Sequence, residues 1–353
     1  MVCRTLGVFA LAALAAVALE VGCAPVSPFG EGFDVQGHRG TRARRPENTL
    51  PSFAEAMCIG VTTVELDVGV SKDGVVVVRH GRGLHPEITR GPDGRFIPAE
   101  RVLISALTLA ELRRFDVGRV RPGSRYAMGF PEVVPIDGTR IPTLEETIAL
   151  VDPSRSGVRL NIETKISPEK PADTLPPDAF ADAVIAVLRK TGALKYATLQ
   201  SFDWRTLARA KAVAPEIPRV HLSHQAEANG ALERRQTGAP PWFAGHDYDG
   251  SLPKLIASLE GAVWSPLYRD LDRESLREAQ TLGLLVVPWT VNEPRDMDRL
   301  IEWGVDGLIT DYPGRLNDVL RARGLPVPPA VAVEGAAGRS ARCPPGGTAE
   351  VSN

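Results

Sequence analysis

Two short runs place carboxylates where they could act together: Val64-Glu65-Leu66-Asp67-Val68 and Asn161-Ile162-Glu163-Thr164-Lys165. Successive side chains on a strand face opposite ways, so Glu65 and Asp67 share one face, and Asn161, Glu163 and Lys165 share another. Val64, Leu66 and Val68 then point toward a helical layer. Adjacent carboxylates on an inward face repel each other and stay charged only with a cation between them. The competing reading is an exposed strand face with its charges in solvent. Glu163 can complete a three-carboxylate set. Lys165 can hold a phosphate oxygen or pair with Glu163, and the competing reading there is an ordinary Glu–Lys surface pair. Oxygen donors suit Ca²⁺ or Mg²⁺ rather than a thiophilic metal.

Of the six histidines, His38 ends a predicted strand and His80 ends the β-extension that follows Glu65 and Asp67. Both fall at the predicted catalytic rim, where a pair can serve as general base and general acid. His221 and His224 close another predicted strand, and His85 and His246 lie in loops. No zinc-type spacing is present. The run QGHRGTRARRPENTL at 36–50 adds Arg39, Arg42, Arg44, Arg45 and Glu47 to His38. That mixture suits a phosphate beside a metal. Arg42, Arg44 and Arg45 are expected to add positive potential for an anionic substrate, with a solvated loop as the alternative. Glu47 is expected to open a helix.

Elements must carry these side chains to one place. Strands are predicted at 33–38, 62–70, 158–164, 197–202, 219–224, 262–267, 284–291 and 307–311, with a β-extension at 75–80. Helices are predicted at 47–59, 143–152, 178–191, 204–213, 252–260, 272–282, 294–303 and 313–323. Thr143 and Glu146 make a capping box at the start of one of them. Eight strands alternating with eight helices predict an α/β fold, a (β/α)₈ TIM barrel, with a doubly wound open sheet as runner-up. Residues 81–142 break the rhythm. They read as a sizeable insertion after the second strand, with one helix at 108–116, shaping the mouth of the site. The Pro/Gly/Ala-rich segment 324–353 reads as a disordered tail.

The chain has 353 residues, 43% of them hydrophobic and 24% charged, and a net charge of −2. One large domain over 24–323 fits that size, and the charge gives no broad attraction to nucleic acid. Residues 1–23 read as a signal peptide, with Arg4 before an apolar run too short to span a bilayer comfortably. Ala16-Val17-Ala18 fits a peptidase site, whereas Leu19-Glu20-Val21-Gly22-Cys23 approaches a bacterial lipobox that would lipidate Cys23. The protein is therefore expected to be exported, either periplasmic or membrane-anchored as a lipoprotein. The four cysteines do not form a disulfide framework, and Cys58 reads as a small buried apolar residue. Oligomeric state is not readable.

The combined motifs resemble the glycerophosphodiester phosphodiesterase family. His38-Arg39-Gly40, Pro46-Glu47-Asn48-Thr49, Glu65-Leu66-Asp67, Lys72-Asp73-Gly74-Val75 and His80 occur in the family's order and spacing. So do Leu107-Thr108-Leu109, Ile141 to Glu146, Asn161 to Lys165, Gln200-Ser201-Phe202, Trp289 to Asn292 and Gly307 to Pro313. The resemblance covers about 34–320. It implies a barrel hydrolase that uses Ca²⁺ or Mg²⁺ to cleave a small glycerophosphodiester into sn-glycerol 3-phosphate and an alcohol through a cyclic phosphate. It implies Glu65, Asp67 and Glu163 as metal ligands and His38 and His80 as the acid–base pair, with the division of labour open. Arg39, Glu47 and Lys165 would organise the phosphate, and Phe202 and Trp289 would line the alcohol pocket. Gly81 stands where the family usually has aspartate. Two alternatives are a lysophospholipase D-like or phospholipase-like enzyme acting on lipids and a catalytically inactive surface lipoprotein.

Overall fold

The computed structural model describes residues 28, 32–98, 102–224, 241–247 and 250–333. The signal segment with both cleavage readings, Cys23 and residues 334–353 lie outside the described residues. The strands are β1 (Asp34–Gly37), β2 (Thr63–Val70), β3 (Val76–Val78), β4 (Arg159–Thr164), β5 (Ala197–Ser201), β6 (Arg219–Ser223), β7 (Val263–Pro266), β8 (Leu285–Val286) and β9 (Gly307–Thr310). The sheet order is β8-β7-β6-β5-β4-β2-β1-β9, and β3 pairs with β2 off this path. Pairing along the path is parallel, and β3 alone runs antiparallel. The two ends meet. Asp306 N–H donates to Val286 O at 3.0 Å, Ile309 N–H to Pro288 O at 3.0 Å and Val291 N–H to Ile309 O at 2.9 Å. Eight parallel strands thus form the expected TIM barrel, and the open-sheet alternative falls away.

The helices are α1 (Leu50–Ile59), α2 (Leu109–Leu112), α3 (Arg125–Gly129), α4 (Leu144–Val151), α5 (Pro153–Ser156), α6 (Pro177–Thr191), α7 (Trp204–Val213), α8 (Leu252–Ser258), α9 (Arg273–Thr281), α10 (Pro294–Trp303) and α11 (Pro313–Ala322). The Thr143/Glu146 capping box starts α4 as read. Val64, Leu66 and Val68 of β2 face outward into the main core, which Phe53 and Met57 of α1 and Leu144 and Ile148 of α4 share. Such positions lose about 2–5 kcal/mol on truncation to alanine.

Several expectations need correction. The first helix begins at Leu50 rather than 47, because Asn48 takes a left-handed conformation and Thr49 is the N-cap. The helix expected at 108–116 shrinks to α2. The strand expected at 284–291 shrinks to β8, since Pro288 has no N–H to give a ladder. Residues 324–333 are not a loose tail: Val331 N–H donates to Met57 O at 2.8 Å and Val333 is buried. Cys58 is half-buried and disulfide-bonded, not a free apolar thiol, and its partner lies outside the described residues.

Residues 81–142 carry α2, α3 and a short 3₁₀ turn at Ile104–Ala106. Leu84, Ile97, Ile104, Leu112, Val117 and Ile141 form a second small core with Val77 of β3. The hairpin β2–β3 therefore links this core to the barrel.

Inside the ring the two halves differ. Val220, Val263, Val287 and Ile309 fill one side with hydrocarbon. Gln36, Glu65, Asn161, Thr198 and Gln200 fill the other and are buried. Asp34, at the strands' N-terminal end, is buried too. Burial pushes its carboxyl up from 3.8 to about 6, against hydrogen bonds from Thr62, Thr63 and Gln36 that favour the charge. A raised folded-state value means a contribution to stability that is present below about pH 4 and lost as pH rises through 6. Ionising this buried group opposes folding by about 3 kcal/mol at neutral pH. Accordingly, Asp34→Asn should gain in melting temperature relative to wild type as pH rises from about 4 to 7. A difference that is flat across that range would contradict it.

Candidate active site

The turn after β1 places the first histidine. His38 N–H donates to Thr310 O at 2.9 Å. Arg39 has φ 51°, and Gly40 has φ 86° with a Cβ position only 2.5 Å from Ser52 Oγ. Only glycine fits there, and the chain folds back sharply enough to aim His38 and Arg39 over the barrel. His38 Nδ1 lies 2.6 Å from Asp311 Oδ1, just past the end of β9. Asn292 holds that aspartate through Nδ2 to Asp311 Oδ2 at 2.7 Å. With Nδ1–H donated to a carboxylate, the Nε2 lone pair is left facing the site, 4.0 Å from Glu65 Oε2. Burial, then Arg39, lowers the proton affinity of His38, and Asp311 partly restores it.

Glu65, Asp67 and Glu163 come together as the β2–β4 register demands: Glu65 pairs with Asn161 and Asp67 with Glu163. One oxygen from each lies within 4.8 Å of the others, and all three are buried. Glu65 accepts from Arg39 N–H at 2.9 Å and Gln200 Nε2 at 2.8 Å, and Asp67 accepts from Asn48 Nδ2 at 2.8 Å. Lys165 Nζ lies 2.5 Å from Glu163 Oε1 and 2.9 Å from Asp67 Oδ1.

The three carboxyls respond differently. Burial, then Asp67 and Glu163, pushes Glu65 well up. Burial pushes Glu163 up to about 7 although Lys165 opposes it. Burial would also raise Asp67, but Lys165 and Arg39 outweigh it and hold that carboxyl well below the usual range. A site that resists its own ionisation is one that a cation would complete. Asp67 Oδ1 is buried, with the Lys165 ammonium as its near partner. Three buried carboxylates with oxygens this close make an all-oxygen donor set that fits a hard divalent ion.

His80 follows the hairpin and faces the triad from the other side. It lines a cavity of about 260 Å³ together with His38, Arg39, Glu163, Lys165 and Trp289. Burial, then Arg39 and Lys165, holds its imidazole well below its usual value. Phe202 and Trp289 pack edge to face at 5.3 Å on the same wall. A second cavity of about 280 Å³ shares His80, Glu163, Lys165 and Phe202, and extends to Gly81, His224 and Trp242. Gly81 has φ 86°, and a Cβ there would meet Gly83 O at 3.6 Å, an ordinary contact, so the residue at the usual aspartate position stands in a backbone conformation that favours glycine.

Glu47 is not on either cavity wall. It lies behind Arg39, which reaches it at 2.9 Å, and it also takes Arg42 at 2.9 Å and the Tyr126 hydroxyl at 2.6 Å. Arg42 lines the smaller cavity and stacks over Phe130, 4.4 Å from the ring centre. Arg44 and Arg45 do not serve the site: both pair with Glu55 of α1. Sequence reasoning gave no role to Asp311, Asn292, Asn48 or Gln200. Asp311 carried a usable signal, because a carboxylate at the C-terminal end of a barrel strand sits where barrel enzymes keep their chemistry.

Residues 38–315 match the model of the glycerophosphoryl diester phosphodiesterase family. The chain belongs to that family. A glycerophosphodiester phosphodiesterase of Bacillus subtilis (strain 168) is 31% identical over 292 residues, covering 80% of this chain and 84% of that protein. A solved structure from Silicibacter pomeroyi DSS-3, named for the same diesterase family, is 34% identical, with a TM-score of 0.74 over 83% of this chain and 95% of that one. An Oleispira antarctica phosphodiesterase in complex with the product sn-glycerol-3-phosphate is 25% identical, with a TM-score of 0.60 over 82% of this chain and 97% of that one.

Proposed function

We propose that the chain hydrolyses glycerophosphodiesters to sn-glycerol 3-phosphate and an alcohol, using a divalent ion, Ca²⁺ or Mg²⁺. The observation that carries this reading is one cavity with His38 and His80 on its wall beside Glu65 and Glu163, with Asp67 directly behind. Glu65, Asp67 and Glu163 would hold the ion. When bound, it would neutralise charge on the non-bridging phosphate oxygens and the glycerol 2-hydroxyl.

The protein's own residues would then manage two protons. His38 Nε2 takes the proton of the 2-hydroxyl, whose oxygen attacks phosphorus; Asp311 stabilises the resulting imidazolium through Nδ1–H. The bond from phosphorus to the alcohol oxygen breaks, and His80, shared by both cavities, protonates that oxygen. Burial, Arg39 and Lys165 disfavour an imidazolium at His80 in the free site, and the incoming phosphate anion favours one. Water then opens the cyclic phosphate. His80 takes a proton from the water and His38 returns its proton to the 2-oxygen. Arg39 and Lys165 would hold phosphate oxygens, and Phe202 and Trp289 would line the pocket for the alcohol, which continues into the second cavity.

The assay compares glycerophosphocholine, glycerophosphoethanolamine and glycerophosphoglycerol with a lysophospholipid. The deacylated diesters should be the better substrates. A preference for the lysophospholipid would move the reading to a lipid diesterase. Asp311→Asn should lower kcat by about 10²–10⁴-fold, because the imidazolium loses its partner. KM should stay near wild type, since Asp311 does not line the cavities. Steady-state kinetics check it, and an unchanged kcat would remove Asp311 from the mechanism.

A further inference from the structure

Barrel interiors are ordinarily filled with branched hydrocarbon side chains. Here one half of the interior is instead a line of amides running from Asp34 to Glu65. Gln36 Nε2 donates to Asp34 Oδ2 at 2.6 Å. Asn161 Nδ2 donates to Gln36 Oε1 at 2.8 Å and to Gln200 Oε1 at 3.0 Å. Gln200 Nε2 donates to Glu65 Oε1 at 2.8 Å. Thr198 closes the remaining acceptor, donating to Asn161 Oδ1 at 2.8 Å. Every member is buried, so an unpaired or misoriented amide would carry its full desolvation penalty.

The chemistry of the ends fixes the direction of every link. An ionised Asp34 only accepts, so Gln36 must turn its NH₂ toward it and its carbonyl toward Asn161. Asn161 then has to donate, and its second N–H forces the carbonyl of Gln200 inward. Gln200 is left with its NH₂ toward Glu65. Reversing any one amide sets donor against donor or carbonyl against carbonyl at its neighbour. The hydrocarbon of the other half imposes no such order.

We propose that this amide line is a positioning device for the cation site: Gln36, Asn161 and Gln200 transmit the acceptor character of Asp34 along the barrel and hold Glu65 as an oriented, acceptor-only oxygen donor. The inference rests on the proposed role of Glu65 as a metal ligand. Gln36 and Asn161 are positioning residues, and neither lines the cavities.

The test is the dissociation constant of Ca²⁺ and of Mg²⁺ for the purified protein, measured by calorimetric titration well below the melting temperature. Two variants are compared with wild type. Gln36→Met keeps the length of the side chain and cuts the line at the residue three links from Glu65. Asn161→Asp keeps the shape but can donate to neither glutamine. Each should weaken the preferred ion by about tenfold, the low end for loss of a metal ligand's supporting partner. A merely structural role would lower the melting temperature and leave the dissociation constant alone. An unchanged constant in folded Gln36→Met overturns the proposal. So does tighter binding in Asn161→Asp, since it would show that added negative charge matters and amide direction does not. If neither variant folds, the amides are scaffold and the proposal falls. Failure of wild type to bind either ion would instead defeat the reading of the triad as a metal site.

Discussion

Replacing His38 or His80 with alanine should remove about 10²–10⁴-fold in rate for the proton transfer each performs, leaving the barrel folded. His38 sits on a turn fixed by its backbone and by Gly40, and among the described residues His80 makes no side-chain hydrogen bond, so neither variant should unfold the chain. The two losses should not multiply in the double variant, because both histidines serve one displacement. Internal attack makes a sharper demand. A diester of 2-deoxyglycerol phosphate should bind but resist cleavage, because it lacks the internal nucleophile. The wild-type rate should rise and then fall with pH, and His38→Ala should lose the limb belonging to the base. Brisk hydrolysis of the deoxy analogue would mean direct attack by water and would reassign both histidines.

The carboxylate triad gives the second large effect, and its members should separate. Glu65→Gln, Asp67→Asn and Glu163→Gln should each weaken divalent binding and depress activity, since each removes one charged oxygen donor. Excess chelator should abolish the activity of wild type, and a hard divalent ion should restore it. Stability without added ion should divide them. Burial and its two neighbours disfavour the charge on Glu65, which offsets part of the cost of a glutamine whose NH₂ must face either Arg39 N–H or Gln200 Nε2, so Glu65→Gln should lose no more than about 1–3 kcal/mol. Asp67 is the partner of both Lys165 and Arg39, and removing its charge leaves two buried cations undercompensated. Asp67→Asn should therefore lose about 3–5 kcal/mol of stability. Denaturant unfolding of the three ion-free variants checks the order, and equal stabilities would contradict the charge assignment.

Much of this geometry was legible because a strand's period is two. Glu65 with Asp67, and Glu163 with Lys165, could be assigned to one face each without coordinates, and parallel register then brings the two strands' carboxylates together. The barrel followed from alternation, and the closing contacts between the β8 segment and β9 confirm it. Asp311 was harder to see, because its partner His38 is 273 positions away and only ring closure makes them neighbours. Glu47 was misplaced for a local reason: the left-handed Asn48 delays α1 by three residues, and the carboxylate turns to Arg39, Arg42 and Tyr126 instead. The amide line was invisible for a related reason. Gln36, Asn161 and Gln200 are polar residues on three separate strands, and their meeting depends on which face of each strand closes inward. The packed segment 324–333 has a tail's composition but lies along α1, where Val331 finds the carbonyl of Met57.

On the proposed mechanism the barrel breaks the bond between phosphorus and the alcohol, not the bond to glycerol. A ³¹P NMR time course with glycerophosphocholine and a divalent ion reads that directly. The diester signal should give way to sn-glycerol 3-phosphate, with a cyclic phosphate passing through as an intermediate and no reaction in excess chelator. Formation of phosphocholine, or an unchanged diester signal with Ca²⁺ and with Mg²⁺, would contradict it.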